Sequence, residues 1–323
     1  MNLIKIESEA PRLNDLPVAN SIKNPPSKRI MLGIGAVALS GILFGVQGIM
    51  GKYAFAGGAN VPTLLMLRFI TASLIIWIPL CLMLAKKKEV DLRQPLPRGL
   101  ALSGMGLFWI TNSLFYFLAL ELLPASTNSL LVFTYPAIVA FWSVLFFKEK
   151  LSGIKATALA LALGGCFLTV DPQGALAVSS SFSFLGALLA LASAFSNSWY
   201  VVLAGRVGPN VSGIVKAAYS LPVTALLFTL YVLVTSTFSG GMSFMGWLLC
   251  VLIGVLTGFS IYLFLIGVNY IGGSRSAIIS TTEPATALFM GAIILAEPVT
   301  PVKLVGGLCI IGAILLLSRT TKA

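Results

Sequence analysis

The chain has 323 residues, of which 58% are hydrophobic and only 10% charged, with a mean hydropathy of +0.98. A soluble domain needs roughly a quarter of its residues charged to cover its surface, so lipid must solvate most of this exterior. The net charge of +11 comes from the termini and from short loops between apolar runs, a water-facing surface and not a nucleic-acid footprint. The lack of any histidine excludes Ser-His-Asp, Cys-His and His-ligated metal chemistry.

Residues 1–29 hold Pro11, Pro17, Pro25 and Pro26, mixed charge and little periodicity, the pattern of a flexible cytosolic tail. From Ile30 onward come apolar runs of about 18–24 residues, each long enough to cross a ~30 Å hydrocarbon core as a helix. They predict ten transmembrane helices, at 30–51, 62–84, 99–120, 124–147, 152–170, 183–204, 212–235, 243–267, 272–295 and 301–318. Between them stand Gly57-Gly58, the Lys86 to Asp91 charge run, Asp171-Pro172, Gly208-Pro209, Gly240-Gly241 and Glu297-Pro298. Cys81, Cys166, Cys250 and Cys309 fall far apart inside apolar runs, as small hydrophobes and not as a disulfide or zinc set.

Counting Lys and Arg on alternate sides puts 18 of the 21 on the face of the N-terminus. Only Lys52 and Lys303 fall opposite, with Arg68 inside helix 2. The excess places both termini in the cytoplasm.

Sliding the chain by 148 residues superposes its halves without a gap. Arg68 falls on Lys216, Gly106 on Gly254, Pro136 on Pro284, Glu149 on Glu297 and Lys155 on Lys303. Residues 30–170 and 183–318 therefore form two five-helix repeats, and the odd number makes the second enter the bilayer from the other side. The expected fold is an all-α polytopic membrane protein, ten transmembrane helices as two inverted repeats around a central cavity. Such repeats are a recurrent transporter design with the substrate site near the midplane.

Thr134-Tyr135-Pro136 with Lys148-Glu149-Lys150-Leu151-Ser152 resembles the end of an EamA domain, and Glu283-Pro284-Ala285 with Ala296-Glu297-Pro298-Val299-Thr300 resembles a second copy. The segment Gly45 to Lys52 and Leu67-Arg68-Phe69 are similar to the family's first two helices. Phe44-Gly45 replaces a common Trp-Gly pair. The resemblance, over residues 30–318, implies the drug/metabolite transporter superfamily: ten-helix carriers, many of them exporters of amino acids and related metabolites, in a bacterial cell (inner) membrane. It implies no enzyme activity; a channel-like facilitator and an intramembrane enzyme are the other classes to weigh. No cofactor and no metal are expected, the partners being a small-molecule substrate and the lipid bilayer. Oligomeric state is open.

Ionisable residues within a membrane are costly and need a reason. Glu283 in helix 9 either binds a cationic group or exchanges a proton, or is a carboxyl bonded to neighbouring helices. Pro284 leaves the Ser280 carbonyl without its helical donor, so Pro136 and Pro284 are expected to kink their helices. Arg68 is weighed as structurally paired ahead of a substrate-carboxylate clamp, and Lys216 as snorkelling to the inner interface. Gln47, Trp109, Asn112, Tyr116, Tyr135, Asn197, Trp199, Ser260 and Tyr262, with Glu283, form a candidate amide and aromatic cavity lining. For each of these residues alone, helix–helix packing is the competing account. Gly41-x-x-x-Gly45 and Gly254-x-x-x-Gly258 permit close helix contact. The sequence contains no GxxxxGK[ST] phosphate loop, so the driving force is a proton or ion gradient, exchange, or the substrate's own gradient.

Overall fold

The computed structural model describes residues 27–85, 92–122, 128, 131–148, 152–169, 183–207, 211–295 and 300–319. The tail up to residue 26 and the punctuation at Lys86–Asp91, Asp171-Pro172, Gly208-Pro209 and Glu297-Pro298 lie outside them. Among the described residues the regular structure is helical: α1 (Ser27–Ala56), α2 (Val61–Ala85), α3 (Leu96–Leu122), α4 (Tyr135–Phe147), α5 (Gly153–Thr169), α6 (Phe184–Arg206), α7 (Gly213–Thr235), α8 (Phe244–Ile271), α9 (Gly273–Ile279), α10 (Thr282–Leu295) and α11 (Pro301–Arg319). Six of these are long and apolar enough to cross a membrane, and α4, α5 and α11 hold shorter apolar stretches. Large apolar side chains such as Val234 and Phe244 stand more than three-quarters exposed on the outside. That exterior suits lipid and no aqueous solvent.

Two predicted helices are broken. Predicted helix 4 turns at Phe133 and Thr134 before α4 begins, with Leu131 and Val132 helical ahead of the turn. Predicted helix 9 divides at Ser280 and Thr281 into α9 and α10. Pro136 and Pro284 therefore begin helices instead of kinking them, because a residue without an N–H is tolerated in a first turn, where that donor has no helical partner. The Ser280 carbonyl is not left free either: it accepts the Glu283 N–H at 3.0 Å. Between α8 and α9 the helix is interrupted at one residue, Gly272 at φ +82°, a backbone conformation that favours glycine.

The two halves interleave. α1 lies along α8 and α10, α3 along α6 and α7, α2 between α7 and α8, and α5 against α11. Exchanging halves maps this pattern onto itself, α1–α8 onto α3–α6 and α1–α10 onto α6–α4. Single atoms obey the same two-fold relation. Ser40 Oγ donates to the Ser260 carbonyl at 2.7 Å, and Ser193 Oγ to the Asn112 carbonyl at 3.0 Å. Gly254 packs over the Arg68 carbonyl, and Gly106 over that of Ser220.

These pairs correct the gap-free register. The offset of 148 relates α3 to α8, but α2 and α7 begin at Val61 and Gly213, an offset of 152, and Ser40 answers to Ser193, an offset of 153. The structural counterpart of Arg68 is Ser220, not Lys216. The slip of four between α2 and α7 is close to one helical turn and keeps the same residues on the same faces, so apolar patterns there match equally well either way; the slip of five between α1 and α6 does not.

Lys216 does not snorkel. It is fully buried, donating from Nζ to the Ala204 carbonyl at 2.6 Å and to Asn269 Oδ1 at 2.5 Å. Asn269 Nδ2 continues to the Val211 carbonyl at 3.0 Å. Ala204 and Asn269 stand in the last turns of α6 and α8, where unpaired carbonyls and the helix dipole favour a cation. At the opposite face the loops after α1 and α7 are tied together. Asn60 Nδ2 donates to the Thr237 carbonyl (2.6 Å), the Ser239 N–H to Thr63 Oγ1 (2.8 Å), and the Ser243 N–H to the Gly57 carbonyl (2.9 Å).

Candidate substrate site

The two helix breaks meet in the interior. Tyr135, the first residue of α4, is buried and bonds through its hydroxyl to Ser280 Oγ in the other break, with the Ala277 carbonyl at 3.5 Å. The first turn of α10 is set by α1. Gly41 faces Thr282 and the Glu283 amide, and Gly45 faces the Glu283 carbonyl and Thr286. The two glycines let the backbones close, and Thr282 Oγ1 fastens them by donating to the Ala38 carbonyl at 3.3 Å. Glu283 is thereby fixed in the first turn of α10, at the positive end of that half-helix.

Arg68 approaches from α2. Its Nε donates to Thr257 Oγ1 at 2.8 Å, halfway along α8. The same hydroxyl has Gln47 Oε1 and the Ile253 carbonyl as acceptors, each at 2.8 Å, and Gln47 Nε2 donates to the Leu43 carbonyl at 3.1 Å. The guanidinium lies 5.4 Å from the centre of the Phe69 ring and 6.0 Å from that of Phe44, within cation–π range. Trp109 packs on the same two rings, at 6.1 and 6.2 Å, and on Tyr200 at 5.0 Å. Arg68 and Glu283 stand near enough for their charges to act on each other, and Tyr116 lies within the field of Arg68, Tyr135 and Cys166 within that of Glu283.

The structure thus brings together Gln47, Arg68 and Trp109, with Tyr135 and Glu283 at the adjoining helix break, while Tyr116 packs on Phe117 and beside Ala119 and Val132. Asn112 turns away, its Nδ2 donating to the Ser193 carbonyl (3.1 Å) and Oγ (3.0 Å), which ties α3 to α6. Ser260 is likewise buried in helix contact, its hydroxyl returning to the Leu256 carbonyl at 2.7 Å. Trp199 joins a separate aromatic cluster with Trp142 (5.3 Å) and Phe146 (5.8 Å), whose outer members Phe146 and Phe195 are exposed. Asn197 and Tyr262 are half-buried and their side chains make no hydrogen bond among the described residues. Sequence reasoning missed Thr257, Phe44, Phe69, Tyr200 and Ser280. Thr257 had one legible signal: it is a hydroxyl at the register mate of Trp109.

The arrangement offers a fixed cation, a carboxyl group, a threonine–amide pair and aromatic walls, next to the starts of two half-helices. A second, apolar groove between α2, α3 and α7 is also lined by aromatic rings, Phe117, Phe228 and Tyr231, but by no charged or amide side chain.

The profile of the EamA-like transporter family matches residues 31–171 and 184–319. The chain is 27% identical over 301 residues to the uncharacterized transporter YcbK of Bacillus subtilis, covering 89% of this chain and 91% of that one. It is 26% identical over 280 residues to the uncharacterized transporter sll1319 of Synechocystis, covering 82% and 83%. It is 27% identical over 217 residues to the uncharacterized inner membrane transporter YicL of Salmonella typhimurium, covering 66% and 70%. A solved crystal structure of a protein shares the fold, with a TM-score of 0.72, 22% identity and coverage of 92% of this chain and 99% of that one.

Proposed function

This chain belongs to the EamA-like transporter family and is a membrane transporter, and we propose that it is a secondary carrier exporting small amphipathic metabolites such as amino acids by alternating access. One arrangement supports this reading: Arg68, seated on Phe44 and Phe69, and Glu283, in the first turn of α10 beside the break at Ser280 and Thr281, carry opposite charges within each other's field. A zwitterion fits that site. Its carboxylate accepts from the guanidinium, its ammonium donates to Glu283, and its carbon skeleton lies against Phe44, Phe69 and Trp109. The positive ends of α4 and α10 deepen the well for the carboxylate.

Substrate binding replaces the attraction between Arg68 and Glu283 with two stronger contacts, and the halves rock about the occupied site. Glu283 is the group that would exchange a proton where transport is proton-coupled. Both termini face the cytoplasm in this reading, supported by the Lys and Arg count. A bacterial inner membrane is supported by the name of the Salmonella relative. Purified protein in liposomes preloaded with unlabelled amino acids tests the proposal: labelled amino acids should enter saturably by counterflow, and Arg68→Ala and Glu283→Gln should abolish or cripple that entry. Conductance without saturation would refute a carrier.

A further inference from the structure

The two-fold relation sets the heart of the site beside a counterpart that has no assigned role. At the α1–α8 contact, Gln47, Thr257 and Arg68 form one bonded chain. Their counterparts, by the offsets of 153, 148 and 152, are Tyr200, Trp109 and Ser220. These three residues do meet, at the α6–α3 contact. The Trp109 and Tyr200 rings are 5.0 Å apart and tilted by 59°, and Trp109 and Ser220 are the polar groups facing the Tyr200 hydroxyl.

Yet the contact stays loose: Trp109 and Ser220 stand within reach of the hydroxyl without completing the geometry of a hydrogen bond. Trp109 Nε1 and Tyr200 Oη are both buried and without a partner, and Tyr200 is only 1% exposed. Buried polar atoms without partners are rare in folded proteins and call for an explanation. The helix pairs themselves are equivalently packed, since the Ser40 and Ser193 bonds are closed on both sides. One difference between the repeats stands two turns further along α1 and α6.

We infer that Trp109 and Tyr200 are positioning residues of the transport cycle: in the oppositely facing state Trp109 Nε1 donates to Tyr200 Oη while the Thr257–Gln47 bond opens. This inference rests on the alternating-access reading. In an inverted-repeat carrier the two facing states exchange the conformations of the repeats, so what α1 and α8 do now, α6 and α3 do in the other state. Opening the Gln47 contact leaves the Thr257 hydroxyl with the Ile253 carbonyl as its one acceptor and so loosens the seat of the Arg68 guanidinium in one state relative to the other.

Hydrogen–deuterium exchange on the full chain in lipid nanodiscs tests this, read at residues 236–243, whose Ser239 and Ser243 amides are held in the loop tie. Tyr200→Phe and Trp109→Phe each remove the bond of the other state. They should slow exchange in that segment by about fivefold, the factor expected of one hydrogen bond. Gln47→Leu and Thr257→Val remove the bond of the present state and should speed exchange by about as much. Combining Tyr200→Phe with Trp109→Phe should do no more than either alone. A purely packing role would loosen the protein and could not slow exchange. Four substitutions acting in one direction, or leaving exchange unchanged, would overturn the inference. Should the wild type still show saturable counterflow, the carrier reading would survive that failure; absent counterflow would end both.

Discussion

Gly45→Ala probes how tightly the site depends on the α1–α10 contact. An added Cβ would stand 2.7 Å from the Glu283 carbonyl oxygen and 2.7 Å from Thr286 Cβ. The first is backbone and cannot rotate away, so α1 and α10 must part by something on the order of an ångström, the scale at which overpacking costs about 1–3 kcal/mol. Gly48, three residues on and facing outward, has nothing within 4 Å of the same built atom. Both substitutions gain the same helix preference of alanine over glycine, ~0.5–1 kcal/mol, so their difference isolates the contact. That difference should appear as a Tm lower by roughly 2–4 °C per kcal/mol for Gly45→Ala, read from tryptophan fluorescence during thermal unfolding. Because the displaced turn carries Glu283, counterflow per folded molecule should fall for Gly45→Ala and stay unchanged for Gly48→Ala. Equal melting shifts and equal transport in the two variants would refute the reasoning.

Glu283→Gln should reduce amino-acid counterflow and flatten its dependence on pH, since the substituted group cannot change charge; an unchanged rate and pH profile would remove Glu283 from the mechanism. Arg68→Lys should raise the half-saturation concentration for carboxylate-bearing substrates by about tenfold or more, because a single ammonium cannot reproduce the guanidinium fork on Thr257 and substrate together. The same variant should leave the matched amides less affected, as competition assays would reveal. Lys216→Met strands the Ala204 carbonyl and the Asn269 side chain, a cost of about 1–3 kcal/mol. It should lower thermal stability while leaving kinetics per folded molecule intact, because Lys216 lies at the helix ends and not in the site.

Hydropathy marked the apolar spans, because lipid imposes a length and a composition on each, and the repeat came from residues recurring at a fixed offset. The breaks in predicted helices 4 and 9 were half legible. Pro136 and Pro284 marked the places, but a proline inside an apolar run reads equally as a kink or as a first turn, and only packing of the flanking segments decides. Arg68 and Glu283 stood out because charge is rare in these helices. Their meeting at Thr257, Phe44 and Phe69 depends on how the halves interleave, which a linear pattern does not contain. Between α2 and α7 the repeat register failed by one turn for the same reason that it looked convincing: a shift of four residues returns to the same helix face. Lys216 was misplaced because its acceptors, Ala204 and Asn269, are remote in sequence and belong to helix ends whose boundaries are not visible in the hydropathy.

The glycines of α1 have a consequence for kinetics. The counterparts of Gly41 and Gly45 on α6, by the offset of 153, are Ala194 and Ser198, both buried. Closure of α1 on α10 therefore meets hydrogen atoms where the mirrored closure of α6 on α4 meets a methyl and a hydroxymethyl group. In a carrier of the proposed kind the two resting orientations then differ in free energy, and the molecule waits longer with one side presented than the other. No such bias moves solute against its gradient. It does divide the intrinsic dissociation constant by a different occupied fraction at each surface. The half-saturation concentration measured from inside a vesicle should differ from that measured outside, and enlarging Gly41 or shrinking Ser198 should draw the two values toward each other.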